Sequence, residues 1–515
     1  MDLQIRWGSW LSAALLLCVP LASAATAGEE LTHLVVLHTN DIHGQVLPRP
    51  AIWLKDVNPL PDSGGLPRLA AKLNQLKAEA EAEGAGVVIC DGGDWFQGTP
   101  EGQIDRGRGF LSAFALAGHD GAVVGNHEFD HGVEVLLEHL KAAPMPALLA
   151  NVRMPGGTPL PGTRDFVIVE RAGLRIGLVG LLTTSTPSIT HRTTKDLEWT
   201  DPREALTRVR AELAERVDLV IPVTHIGVES DQALAVAHPD LPLIVGGHSH
   251  DFLRKGVRVG ETLVVQAGSK ASVIGRVDLW LRSDGSVEKS TAKHVNLYEP
   301  AEAAFRIEAL DRACEELSLK ASERMDAVVG VLGGPLEVSR RELVNASGGN
   351  LITDLMRARS GADLAVHNRG GTRATLQAGV CTRRDLFMVL PFDNHIETLE
   401  MSGEDVVELF RRSIEDERKR SLEFSGVTVE VTRVEGKPKL VQVRLGGEAG
   451  PVIQDGDRLR LATNSFLAAG GDGWEILQAQ EQREVDFTLL RDMIEEALAR
   501  GPVTPSKSQR YRIVR

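Results

Sequence analysis

Ala122-Val123-Val124-Gly125-Asn126-His127-Glu128-Phe129-Asp130 passes from a short apolar run straight into a cluster of metal-binding side-chain types. The run is Val-rich and lacks polar alternation, as in a strand buried on both faces. The same juxtaposition recurs on either side of it. Upstream, Leu34–Leu37 leads to Asp41-Ile42-His43, and Gly86–Cys90 leads to Asp91-Gly92-Gly93-Asp94. Downstream, Leu219–Val223 leads to Thr224-His225, and Leu243–Val245 leads to Gly246-Gly247-His248-Ser249-His250. Between several of these runs lie Ala/Glu/Leu-rich stretches, such as Leu66–Glu83 and Pro202–Arg216, that read as helices. Together they predict a layered α/β domain. Ligands of open α/β sheets bind outside the carboxyl ends of the strands, so the clusters are expected to converge at one edge of the sheet.

Imidazole and carboxylate in one place favour Zn, Mn, Fe or similar divalent ions over Ca. In Asp41-x-His43 and His248-x-His250 the spacing of two predicts extended segments that aim both side chains the same way. Asp94 is the natural bridge, because one carboxylate has two oxygens to share. Two ions ~3.5–4 Å apart can hold a hydroxide between them and clamp the attacked oxygens. His33, His119, His139, His191, His238 and His294 stand outside these clusters and read as ordinary core or surface residues.

The ordered set Asp-x-His, Gly-Asp, Gly-Asn-His-Glu, His and Gly-His-x-His resembles the calcineurin-like metallophosphoesterases. Leu37-His38-Thr39-Asn40-Asp41 and Gly125 through Asp130 resemble the bacterial 5'-nucleotidase / UDP-sugar hydrolase branch in particular. The resemblance implies a layered α/β/β/α metallophosphoesterase domain joined by a helix to a smaller α+β substrate-binding domain. It also implies two divalent metal ions, with Zn, Mn, Mg and Co as candidates. Asp41, His43, Asp94 and His250 would hold one, and Asp94, Asn126, His225 and His248 the other. His127 would be catalytic beside the phosphoryl group, oriented by Asp130. A cationic imidazole there neutralises transition-state oxygens or protonates the leaving alkoxide.

The second half carries Ser339-Arg340-Arg341-Glu342, then Asn368-Arg369-Gly370-Gly371-Thr372-Arg373, then Asn464-Ser465-Phe466 through Gly470-Gly471-Asp472-Gly473, with Pro391-Phe392 between the last two. Arginine forks suit phosphate oxygens, and paired aromatic faces suit a nucleobase. Taken alone, Phe392 and Phe466 read as core. The resemblance implies phosphate contacts for Arg341 and Arg373, a lining role for Asn368, base stacking by Phe392 and Phe466, and Asp472 near the ribose hydroxyls. Arg369 and Thr372 depart from the family's usual Gly and aliphatic residue. Arg369 is expected either to add a phosphate contact or to point to solvent.

The domains implied are a calcineurin-like domain over 31–298, a linker helix over 299–326 that acts as a hinge, and a C-terminal domain over 327–515. The activity implied is release of phosphate from nucleoside 5'-phosphates, through a hydroxide bridging the metals. The alternatives on the same scaffold are 2',3'-cyclic nucleotide phosphodiesterase, UDP-sugar hydrolase and thiosulfohydrolase.

Composition sets outer limits. Of 515 residues, 43% are hydrophobic and 25% charged, as in a globular protein of more than one domain. The net charge of -14 speaks against a nucleic-acid polymer as partner. A small anionic nucleotide remains compatible, because a cleft can carry cations against the global sign. Arg6, the apolar Leu11–Leu21 and the small-x-small Ala22-Ser23-Ala24 predict a signal peptide over 1–24 and a periplasmic or extracellular location. Pro20 interrupts the run, so stable membrane insertion is not expected. Cys90, Cys314 and Cys381 are too far apart and odd in number for a disulfide framework, and read as buried small hydrophobes. Nothing in the sequence points to a protein partner.

Overall fold

The computed structural model describes residues 31–514 apart from 52–58, 144, 299, 340 and 417–421, so the expected signal peptide lies outside the described residues. Strands β1 (Thr32–Thr39), β2 (Gly86–Asp91) and β3 (Gly121–Val123) are neighbours in a seven-stranded sheet. They run parallel to one another. Strands β4 (Leu219–His225) and β5 (Leu243–Val245) are parallel neighbours in a second, six-stranded sheet. The five runs therefore divide between two sheets, where sequence alone had placed their clusters on one. A strand buried on both faces carries the same apolar signature in either sheet.

Leu34, Val36, Val88, Cys90 and Val123 of the first sheet interleave with Ile221, Val223, Leu243 and Val245 of the second. The alternate residues Val35, Leu37, Val87 and Ile89 face outward onto Leu66, Leu69 and Leu73 of helix α1 (Leu66–Ala82). On the far side, Ala205, Leu206, Val209 and Leu213 of the helix Pro202–Leu213 cover Val179, Leu181 and Ile244. The result is an α/β/β/α sandwich with both sheets covered.

The charged run before the second domain forms helix α2 over Glu308–Met325, shorter than the 299–326 expected. Residues Ala303–Phe305 make a separate 3-10 turn, and Ile307 is extended. Leu310, Cys314 and Leu317 of α2 join the core of the first domain. The helix is thus part of that domain's wall, and the chain leaves it only after Asp326.

The second domain is built on a five-stranded sheet in the order Leu422–Ser425, β6 (Leu364–Asn368), β7 (Arg458–Asn464), His395–Ser402 and Arg483–Leu489. One face packs Val406, Leu409 and Phe410 of the helix Gly403–Glu415, and the other packs Leu351, Ile352 and Met356 of the helix Ser347–Ser360. Cys90, Cys314 and Cys381 are buried free thiols. Among the described residues no helix is long and apolar enough to cross a membrane.

Candidate metal centre

The loops beyond β1 and β2 are zipped together by backbone. Asp41 N–H donates to Gly93 O, His43 N–H to Asp94 O and Gly44 N–H to Trp95 O, at 2.8, 3.0 and 2.7 Å. That brings Asp41, His43 and Asp94 into one group with His250 from beyond β5. Asp94 also belongs to a second group with His225, at the end of β4, and His248. Within each group the ligand atoms lie within 4.8 Å of one another. His225 Nε2 is 3.1 Å from Asp94 Oδ2 and 3.1 Å from Asn126 Oδ1. His248 Nδ1 is 2.9 Å from the same Asn126 oxygen. His250 Nε2 is 3.1 Å from Asp41 Oδ1 and 3.0 Å from His43 Nε2.

These residues do not sit in extended segments as the spacing suggested. Asp41, His43, Asp94, His248 and His250 have φ of 51°, 52°, 59°, 79° and 60°. Left-handed backbone at a non-glycine residue costs on the order of 1–3 kcal/mol, and it persists only where the surroundings fix it. The common aim of each Asp/His-x-His pair therefore comes from tight turns and not from strand alternation. Close packing fixes them. A Cβ on Gly125 would fall 2.3 Å from Asp94 Oδ1, and one on Gly247 would fall 2.3 Å from Gly92 O.

The donor set fits divalent cations. His43 Nδ1 is 2.7 Å from Gln97 O and His225 Nδ1 is 2.6 Å from Gly92 O. Each carbonyl accepts the Nδ1–H, so Nε2 is the ring nitrogen that faces the cluster and would serve as the metal ligand once deprotonated. Burial alone would raise Asp41, but His250 and His225 hold its carboxyl at about 2. Asp94 is held well below the carboxylate range by His225 and His127 against the same burial. Burial pulls His225 down, yet Asp94 lifts it to about 10. Two buried carboxylates that stay ionised call for positive charge between them.

Outside the cluster, His127 Nδ1 is 2.7 Å from Asp130 Oδ2, and its Nε2 is 4.0 Å from Asp94 Oδ2. Burial works to lower its pKa, but Asp130 and Asp94 win and raise it. Across a cleft of about 1800 Å³ stand Asn368, Arg373, Phe392, Phe466 and Asp472 of the second domain. The Phe392 ring stacks on His127 with centroids 5.7 Å apart, and the Arg373 guanidinium carbon lies 5.8 Å from the Phe392 centroid. Asn368 Nδ2 donates to Asp472 Oδ2 at 3.2 Å. His191 is exposed, as a surface histidine would be, and borders this cleft too.

Two arginines lie elsewhere than expected. Arg341 is exposed and its side chain does not line the cleft. Arg369 is buried at the border of the cleft, but its guanidinium turns into its own domain. Its Nη1 and Nη2 donate to the carbonyls of Arg341 and Val344, and its Nε faces Glu423 Oε1 at 3.4 Å.

Residues 34–252 match the family model of calcineurin-like phosphoesterases, and residues 328–479 match that of the 5'-nucleotidase C-terminal domain. The chain belongs to this two-domain phosphoesterase family. It is 28% identical to the 5'-nucleotidase of Vibrio cholerae over 90% of this chain and 91% of that one. It is 27% identical to protein UshA of Escherichia coli, again over 90% and 91%. The crystal structure of a 5'-nucleotidase precursor from Thermus thermophilus superposes with a TM-score of 0.80 at 25% identity, covering 94% and 99% of the two chains. With the family comes the reaction class, hydrolysis of phosphoric esters, and a divalent-metal site.

Glu128 of this phosphoesterase has a role that the sequence reading left unassigned. Its carboxylate accepts the backbone N–H groups of Asp94, Trp95 and Gly125 at 3.0, 2.7 and 2.8 Å. It ties the β2 loop to the β3 loop from beneath. The signal was a fourth polar residue in a cluster whose other members already had work. Glu128→Gln puts an NH₂ group where an acceptor is needed. Metal affinity is expected to fall by about 10–100-fold, as when an outer-shell partner is lost, measured by chelator competition. Unchanged affinity would remove Glu128 from this role.

Proposed function

We propose that the chain is an exported 5'-nucleotidase that holds two divalent ions, one by Asp41, His43, Asp94 and His250 and one by Asp94, Asn126, His225 and His248. The observation that supports this most is the shared Asp94 on the floor of a cleft whose opposite wall is arginine and phenylalanine from the second domain. Ions bound there supply an activated water and positive charge for the transition state. The rest is the work of side chains. Arg373 draws the phosphate into the cleft and His127 faces its non-bridging oxygens. His127, charged and oriented by Asp130, hands its Nε2 proton to the departing ribose oxygen. Phe392 and Phe466 take the base, while Asp472 and Asn368 take the ribose hydroxyls. The names of the relatives in Vibrio cholerae and Thermus thermophilus agree with this substrate class. Export rests on the Leu11–Leu21 run and Ala22-Ser23-Ala24.

One observation keeps nucleotide sugars as a second reading. The cleft of about 1800 Å³ exceeds the roughly 300–1,000 Å³ of ordinary small-ligand pockets. AMP, UDP-glucose, a 2',3'-cyclic nucleotide and p-nitrophenyl phosphate, assayed on metal-stripped protein reloaded with Mn, Zn, Mg, Co or Ca, decide between them. The expected result is phosphate release from AMP only after metal is restored. Full activity in a strong chelator would overturn the metal assignment, and no release from AMP with any metal would overturn the substrate.

A further inference from the structure

The second domain touches the first at more than the substrate cleft. Helix α3 (Arg383–Val389) begins at the domain junction and ends just before Phe392. At its start, Arg384 Nη1 pairs with Glu101 of the first domain, while Nε donates to Asp326 Oδ1 at 2.9 Å, just beyond α2. Nη2 faces Ser322 Oγ of α2 at 3.4 Å. Glu101 is 3% exposed, so this is an ion pair largely shielded from water.

Glu101 sits on a turn built into the metal centre. Thr99 Oγ1 donates to Gly44 O at 2.5 Å, next to His43. A Cβ on Gly102 would fall 2.7 Å from Gly44 Cα and 2.0 Å from Phe96 O, so the turn lies flat on the metal-binding loop. Gln97, a few residues earlier, supplies the carbonyl that fixes His43. At the other end of α3, Val389 O accepts Arg373 N–H at 2.8 Å, and Phe392 reaches His127. One short helix thus grips the back of the metal loop at its first turn and carries the phosphate and base side chains at its last.

We propose that Arg384 is a positioning residue, which through Glu101 and Asp326 registers the second domain on the metal-binding loop and so sets where Arg373 and Phe392 stand over His127. The proposal rests on the reading that the second domain carries the nucleotide. Its chemistry is a charge pair across the one place where the domains are also covalently joined, so losing the charge frees the swivel without touching any group in the cleft.

The test compares Arg384→Ala, Arg384→Lys and Glu101→Gln with the parent enzyme loaded with metal. For AMP, kcat/KM is expected to fall about tenfold or more in the Ala and Gln variants, since misplacement of remote origin is costly. For p-nitrophenyl phosphate, which keeps the phosphate that Arg373 meets but offers no nucleoside for Phe392 to place, the loss is expected to be clearly smaller than for AMP, and Arg384→Lys recovers most of the loss on both. Equal losses on both substrates, or none on AMP, would overturn the proposal. A second readout does not depend on substrate. Val236→Cys and Val441→Cys, at 70% and 48% exposure, place one spin label on each domain while Cys90, Cys314 and Cys381 stay buried. Arg384→Ala is expected to broaden the inter-label distance distribution, and an unchanged distribution would overturn the proposal. If AMP proves not to be a substrate of the parent enzyme, the substrate reading fails and the distance measurement alone decides on Arg384.

Discussion

Asp94→Ala removes phosphate release down to background, a loss of about 10⁴-fold or more, and the purified variant carries little metal. Its carboxylate is the one group shared by both ligand sets. Oδ2 lies 3.1 Å from His225 Nε2, 3.9 Å from His43 Nε2 and 4.0 Å from His127 Nε2, while Oδ1 accepts the backbone N–H of His127 at 2.9 Å. Without it the cluster keeps Asp41 and its imidazoles, which leave a buried divalent-metal site short of negative charge. Metal analysis by plasma emission reads the loss directly, and a variant with full metal content would sink the bridging role.

The metal-free proteins give a second test with a defined sign. Asp94 raises the folded pKa of His225 from 6.5 to about 10. A raised histidine stabilises the fold fully below its unfolded pKa, and that stability is lost as pH climbs through the folded one. Metal-stripped parent protein is therefore expected to melt above Asp94→Ala at pH 6, with the gap closing towards pH 10. Breaking such a buried pair costs about 3–5 kcal/mol. Calorimetry at both pH values checks it, and a gap that widens with pH would contradict the pairing.

That the Asp and His clusters come together was legible in the sequence, because each follows an apolar run too short and too unbroken to be anything but an interior strand. The sharing of β1, β2 and β3 by one sheet and of β4 and β5 by the other was not, since nothing local to a doubly buried strand names its neighbours. Nor were the left-handed turns legible. Asp and His enter that region more readily than bulky residues, but their side chains give no notice of when they do. Arg369 failed for a different reason. Its partners are Glu423 and two carbonyls from the 341–344 loop, so its direction is a tertiary fact. Arg341 is exposed on the loop before the helix Ser347–Ser360, and one arginine in a loop has no periodic neighbours to fix its direction.

His127→Ala separates chemistry from metal binding. Its ring is held by Asp130 at 2.7 Å and stands outside both ligand groups. kcat is expected to fall by about 10²–10⁴-fold, the range of a lost general acid, with metal content unchanged. The loss should be smaller on p-nitrophenyl phosphate, whose leaving group departs as a stabilised anion and needs no proton. Asp130→Asn keeps the imidazole but removes the strongest of the charges that raise its pKa, ahead of Asp94. A step that needs the protonated ring runs below that pKa and fades as pH rises through it. The alkaline limb of kcat against pH should therefore move to lower pH in Asp130→Asn. A limb that stays in place would mean that His127 acts by its position alone, and a parallel loss of metal in His127→Ala would mean that it belongs to the ligand shell after all.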